Sequence, residues 1–200
     1  LNYINKNKKN WSVKPIILSG DIFHDSIILV FGKPKTAVFA HMDSIGFTVG
    51  YGAQLIKIGG PQTESGWKLV GEDSKGEIEC ELFVDNKGAI SYIYNREIDR
   101  GTTLTFKCEF REENGYIESC YLDNRLGVFN ALKLAETLKN GIICFSCYEE
   151  HGGGNAQFLG KYIYENYSVM NALISETDNY GKESLIKKSK EIITSTYKQL

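Results

Sequence analysis

Residues 26–43 read SIILVFGKPKTAVFAHMD, two apolar runs split by Gly32–Pro34 and closed by His41-Met42-Asp43. The runs Ser26–Phe31 and Thr36–His41 are dense in β-branched and aromatic side chains, which suit a pleated sheet. Neither alternates polar with apolar. Unbroken apolarity in a strand points to burial on both faces, as in a sheet covered by helices.

The same character returns after a long interruption. From Asp123 the chain reads as a helix, with Leu126, Phe129, Leu132, Ala135 and Leu138 near an i, i+3, i+4 spacing and Asn140-Gly141 as the stop. A buried strand, Ile142–Tyr148, comes next, then the loop EEHGGGN and a helix from Ala156 to Tyr164. A strand over Ala172–Ser175 runs into Glu176-Thr177-Asp178, and a last helix is expected over Glu183–Leu200. Between the two halves, about Thr48–Ser119, short strand candidates alternate with closely spaced Gly, Asn and Asp turn signals, the pattern of a small antiparallel barrel or sandwich. Glu77–Val84 (EIECELFV) alternates as a half-buried strand should. The expected organisation is an α/β domain, residues 1–47 and 120–200, interrupted by an all-β insert, 48–119.

Bulk properties narrow the function. The 200 residues, 42% hydrophobic and 24% charged, suit a folded globular chain. With 23 basic against 25 acidic residues the net charge is -2, which argues against general affinity for nucleic acid or anionic membrane. No apolar run approaches the roughly 20 residues needed to span a bilayer. Five cysteines without scaffold spacing suggest reduced thiols and a cytoplasmic setting. Cys144 and Cys147 form a C-x-x-C, but residues three apart on a strand face opposite sides, so neither a redox nor a zinc pair is expected there. There is no G-x-S-x-G, so the HGGG string at His151–Gly154 is not read as an esterase oxyanion loop. Its glycines suit a tight backbone turn. Walker-type and G-x-G-x-x-G phosphate loops are absent from the sequence too.

Four acidic or histidine clusters sit at a strand end or a helix start: His41-Met42-Asp43, Asp123-Asn124, Glu149-Glu150 and Glu176-Thr177-Asp178. Singly each has a bland reading, since paired glutamates are usually solvated and a histidine after a buried strand is often a core residue. Together they have a common address, because ligands of open α/β sheets gather beyond the carboxyl ends of the strands. Zinc accepts imidazole nitrogen and carboxylate oxygen, and one carboxylate can bridge two ions that share and activate a water. A further carboxylate can then shuttle the proton.

AHMDSIGF, YLDNRLGVFNAL and CYEEHGGGNA, in that order, resemble the metal motifs of the glutamyl/lysyl aminopeptidases that form tetrahedral particles. The likeness spans nearly the whole chain, and the β insert between the first two motifs fits it. It implies a phosphorylase/hydrolase-like zinc-peptidase domain with a small β insert, acting on peptide substrates and assembling as a homo-oligomer. It also implies two divalent ions, zinc by default, with cobalt or manganese suited to the same ligands. By the resemblance His41 binds one metal with Asp43 orienting it, Asp123 bridges, Glu149 is the general base and Glu150 binds the second metal. Glu176 completes the first site, with Asp178 as the alternative.

The family closes its second site with a C-terminal histidine, whereas His24, His41 and His151 are the histidines here. The expectation is therefore a fragment of a metallo-aminopeptidase. The competing expectation is a catalytically degenerate peptidase fold acting as a binding or assembly module. Against it, clustered carboxylates repel one another unless a cation neutralises them.

Overall fold

The computed structural model describes residues 1–177, so Asp178 and the helix expected over Glu183–Leu200 lie outside the described residues. Contacts divide the chain into two compact units, one of Leu1–Asp43, Leu122–Glu149 and Gly153 onward, the other of Ser44–Tyr121 with Glu150–Gly152. In chain order the first unit contributes α1 (Asn2–Asn7), β1 (Ile16–Leu18), β2 (Ile27–Phe31) and β3 (Thr36–His41). The second follows with β4 (Gly46–Val49), β5 (Leu55–Ile58), β6 (Lys68–Asp73), β7 (Gly76–Val84), β8 (Ile90–Ile93), β9 (Thr103–Phe106), β10 (Arg111–Glu113) and β11 (Tyr116–Glu118). The first resumes with α2 (Leu122–Ala135), β12 (Gly141–Ser146), α3 (Ala156–Tyr167) and β13 (Asn171–Ile174).

In the first unit the sheet order is β1-β2-β12-β3-β13. β12 and β13 both run parallel to β3, in registers that set Ser146 opposite His41 and Ile174 opposite Phe39. β2 is antiparallel to β12, and β1 to β2. Every residue of β2 and β12 is buried. Alternation explains why. Ile27, Leu29, Phe31, Ile143 and Phe145 share a core with Ala131 and Ala135 of α2, while Ile28, Val30, Ile142 and Cys144 share another with Leu159 and Ile163 of α3. α1 and β1 were not anticipated from sequence.

The face of α2 agrees in part with the expected one, since Ala135 is buried and Leu132 packs on the same core. Leu126 and Phe129 are 43% and 56% exposed, and the buried positions are Asn124, Gly127, Ala131 and Ala135. Small residues let a helix lie close to its sheet, so the contact stripe runs through Gly127, Ala131 and Ala135 and turns Leu126 and Phe129 outward. The helix also stops at Ala135, short of Asn140, and Leu138 packs on the core from the turn beyond it.

The second unit begins at Ser44 and not Thr48, because Gly46–Val49 pairs with both β5 and β9 and Phe47 is buried in that unit's core. Six of its strands form one antiparallel sheet in the order β5-β4-β9-β6-β7-β8, and β10 pairs with β11 separately. Gln54 and Ser91 form a bridge, and the Tyr92 N–H donates to the Ala53 carbonyl at 3.2 Å. The sheet thereby curls back on itself as a nearly closed barrel. On β7, Ile78, Cys80 and Leu82 point into its core.

An ion pair fastens the β6–β7 turn to the segment before β9. Arg96 donates to both oxygens of Asp73 at 2.5 and 2.8 Å, and the N–H groups of Lys75 and Asp99 add bonds of 2.9 and 3.2 Å. The Arg96 guanidinium, aided by these N–H groups and opposed by burial, holds the Asp73 carboxyl well below its ordinary range. A depressed carboxylate stabilises the fold above its unfolded pKa, and that contribution is lost as pH falls through the folded value. Arg96→Ala should therefore lower the melting temperature at pH 7, with a difference from wild type that shrinks toward pH 2. Lys68→Ala, which breaks an exposed pair with Glu81, should change it little. Equal shifts from the two variants in thermal denaturation would remove the special role of Asp73.

Candidate metal centre

Three parallel strands deliver the site. β3 ends on His41, Glu149 follows β12 and Glu176 follows β13, so all three lie beyond carboxyl ends on the same side of one sheet. Main-chain bonds hold these exits together: the Met42 N–H donates to the Ser146 carbonyl and the Ser175 N–H to the Phe39 carbonyl, both at 2.8 Å.

His41 Nε2 lies 3.0 Å from Asp123 Oδ1, 3.2 Å from Glu176 Oε1 and 4.0 Å from Glu149 Oε2. One donor atom each from His41, Asp123 and Glu176 falls within 4.8 Å of the others. The imidazole is 2% exposed, whereas Asp123 and Glu176 are 45% and 39% exposed, so the cluster has a buried floor and an open mouth. On the other side of the ring, Nδ1 meets the Asp43 main-chain carbonyl at 3.1 Å and its carboxylate at 3.5 Å. Nδ1–H donation to the carbonyl leaves Nε2 facing the carboxylates. Asp43 thus holds the ring first through its backbone, a bond that the side-chain reading from sequence did not anticipate.

Electrostatics describe a cation-seeking group. Burial lowers the His41 pKa, but Glu176, Asp123 and Glu149 outweigh it and raise the imidazole to about 9. Burial and the neighbouring Glu176 push Asp123 up, against the pull of His41. Burial raises Glu176 as well, yet bonds from His41 and the Thr177 N–H bring it below its ordinary value. The imidazolium proton is the positive charge that three carboxylates share. A divalent cation fits this set of one nitrogen and several oxygens better than a proton does, since it can meet all of them at once.

The start of α2 carries the other half of the geometry. Asp123 (φ -83, ψ 110) and Asn124 (φ -118, ψ 39) are not helical, and Asn124 caps the regular helix: its Oδ1 accepts the Gly127 N–H at 3.0 Å. Asn124 Nδ2 donates to the Ser175 carbonyl at 2.8 Å, Ser175 Oγ to the Gly127 carbonyl at 3.2 Å, and Thr177 Oγ1 to the Leu122 carbonyl at 3.1 Å. This clamp ties the residues around Asp123 to those around Glu176. It was missed from sequence, although an Asn three residues before a Gly at a helix start is a readable cap.

Of the other expected residues, Glu150 packs with the second unit, where a Cβ on Gly59 would come 2.7 Å from its Oε2. His151 ends a short 3-10 turn, Glu149–His151. Gly154 (φ +53) lies so near Tyr148 that a Cβ would sit 2.4 Å from that carbonyl, in line with a tight turn. Glu176 joins the cluster, and its alternative Asp178 lies outside the described residues.

The fold is a phosphorylase/hydrolase-like α/β domain with a small all-β insert, as in the solved TET structures. A model of the M42 glutamyl aminopeptidase family matches residues 71–186, more than half of the sequence, and the chain belongs to that family. No curated protein matches it. Among solved structures, the TET1 peptidase of Pyrococcus horikoshii, which can assemble into a tetrahedron or a large octahedral shell, is 18% identical with a TM-score of 0.63 over 85% of this chain and 61% of its own. The TET aminopeptidase of the marine sediment archaeon Thaumarchaeota archaeon SCGC AB-539-E09 is 16% identical with a TM-score of 0.72 over 90% and 60%. A Thermotoga maritima protein described as an endoglucanase is 14% identical with a TM-score of 0.63 over 90% and 60%. At these identities the likeness is one of fold. The chain spans about 60% of the length of these structures.

The clamp yields a test. A Cβ at Gly127 would lie 2.1 Å from Asn124 Oδ1 and 2.2 Å from the Ser175 carbonyl, whereas one at Gly160 in α3 meets nothing within 4 Å. Gly127→Ala should destabilise the chain by about 1–3 kcal/mol in denaturant unfolding. Gly160→Ala should be neutral or stabilising by up to about 1 kcal/mol. Similar effects from both would show that the clamp is not tightly packed.

Proposed function

We propose that this chain carries the metal-binding and catalytic residues of an aminopeptidase that hydrolyses N-terminal residues from peptides with the help of divalent ions. The observation that carries the reading is the meeting of His41, Asp123 and Glu176 at the carboxyl edge of the parallel strands, with Glu149 beside them. Membership of the M42 family supports it.

In this reading His41, Asp123 and Glu176 would hold one ion, and Asp123 and Glu150 would contribute to holding a second. Zinc is the default, and cobalt or manganese suit the same donors. Bound there, the metal would polarise the scissile carbonyl and acidify a water. The protein does the rest. Asp43 fixes the His41 ring so that Nε2 faces the site. The His41 proton must leave before the imidazole can ligate, so metal uptake at neutral pH is accompanied by proton release. Glu149 accepts the proton of the attacking water on a carboxylate oxygen and passes it to the departing amine nitrogen. The half-exposed Asp123, Glu149 and Glu176 leave the mouth of the site open to a peptide end. The assemblies described for the similar structures favour a homo-oligomer as the working form.

The test is zinc per chain by elemental analysis, with turnover of aminoacyl-amide substrates. Wild type should hold at least one tightly bound equivalent, and Asp123→Ala should lose it. Glu149→Gln should keep the metal and lower kcat by about 100- to 10,000-fold, the usual worth of a general base. No specific zinc in wild type would overturn the site. Bound zinc without hydrolysis of any substrate would leave a non-catalytic binding module as the better reading.

A further inference from the structure

We propose that Cys108 and Cys120 form a reactive dithiol that small disulfides convert to an intramolecular bridge, making Cys108 a redox modification site. Both are held as thiols and both belong to the second unit. The Cys120 N–H donates to Cys108 Sγ at 3.2 Å, and Ser119 Oγ lies 3.1 Å from the same sulfur. Cys108 Sγ therefore lies against the backbone of Cys120, the residue whose sulfur it would bond, and it sits 3.9 Å from the Cys120 carbonyl as well.

The approach is built from outside the pair. Tyr121 follows Cys120 directly, and its hydroxyl accepts the Phe106 N–H and donates to the Phe106 carbonyl at 3.4 Å. The rings of Phe106 and Tyr121 stack at 6.4 Å. The two chain segments are therefore pinned next to the cysteines on the side away from the β10–β11 hairpin. That hairpin pairs three residues with three, and all six are exposed. Such a ribbon buries nothing of its own and gains from a covalent tie at its base.

The chemistry singles out Cys108. A small disulfide must reach the sulfur that attacks it, and exposure allows that. Cys108 is exposed and Cys120 partly so. By contrast, burial pushes the Cys80 thiol up to about 11 and the Cys144 thiol up to about 12, and it raises Cys147 too. In the proposed sequence the Cys108 thiolate attacks one sulfur of a small disulfide, RSSR, forming a mixed disulfide and expelling RS⁻. The Cys120 thiolate then attacks Cys108 Sγ, closes the protein bridge and expels the second RS⁻. Two protein thiols lose two electrons and two protons, and one small disulfide becomes two small thiols. Only Tyr121 and Leu122 separate the bridge from Asp123 along the chain.

The experiment treats the native full chain with oxidised glutathione, quenches it with acid and N-ethylmaleimide, and maps peptides by mass. The expected product is a Cys108–Cys120 cross-link. In Cys120→Ser, glutathione should accumulate on Cys108, at a rate at least roughly tenfold above that on Cys147. In Cys108→Ser, Cys120 should stay largely unmodified over the same period. Far-UV circular dichroism matching wild type establishes that each variant is folded. A wild-type chain with no such cross-link, or with glutathione spread equally over Cys108 and Cys147, overturns the proposal. The wild-type map alone decides the matter if either variant fails to fold.

Discussion

The parallel pairing of Thr36–His41 with Gly141–Ser146 on one side and Asn171–Ile174 on the other is the constraint from which the site follows. Parallel strands end on the same side of their sheet, so whatever follows each strand is delivered to one place. Here that is His41, Glu149 and Glu176. The pairing is possible only because helices cover both faces. Alternate residues of β2 and β12 enter two different cores, one under α2 and one under α3. The apolar content of these strands is thus a condition for the polar cluster at their ends.

That cluster works against the fold that holds it. Three carboxylates converge on one buried imidazole, and the ring answers by taking a proton and holding it to about 9. Asp123 shows the remaining conflict, since burial and Glu176 both push it toward its neutral form. Packing alone gives no reason to assemble such a group. A neutral hydrogen-bonded network of similar size would close the strand ends at lower electrostatic cost. The cost becomes intelligible if the cluster is there to bind a cation, which is why the metal reading rests on physical grounds as well as on family membership.

How much of this could be read from sequence depends on the kind of signal. SIILVF and TAVFAH were legible as strands because their residues allow no exposed face; Ile27–Phe31 is buried throughout, and Thr36–His41 is the strand observed, partly buried at Thr36, Val38 and Phe39. EIECELFV was legible as half-buried for the opposite reason, its strict alternation. α2 was legible only in part: Leu132 and Ala135 face the core as expected, but Gly127 and Ala131, whose role is to be small, take the places expected of Leu126 and Phe129. The closure of the second unit through Gln54 and Ser91 was only suggested by turn spacing, since edge pairing depends on curl and not on composition. The side-chain placement of His41, Glu149 and Glu176 followed from strand ends, whereas the backbone carbonyl of Asp43 as a partner of the ring has no sequence signature at all.

The clamp around Asn124 joins these lines. An ordinary helix cap needs only its own N–H acceptor bond, yet Asn124 also reaches across to the Ser175 carbonyl. That second bond couples the start of α2 to the end of β13, so Asp123 and Glu176 cannot move independently. Gly127 is where it is because any Cβ would collide with both partners of the cap. A residue with one more oxygen in place of the Asn124 amide nitrogen would lose the donor to Ser175 and add another negative charge next to Asp123. The amide therefore does two things that a carboxylate could not: it ties the segments that carry Asp123 and Glu176 together, and it does so without deepening the repulsion that the cluster already carries.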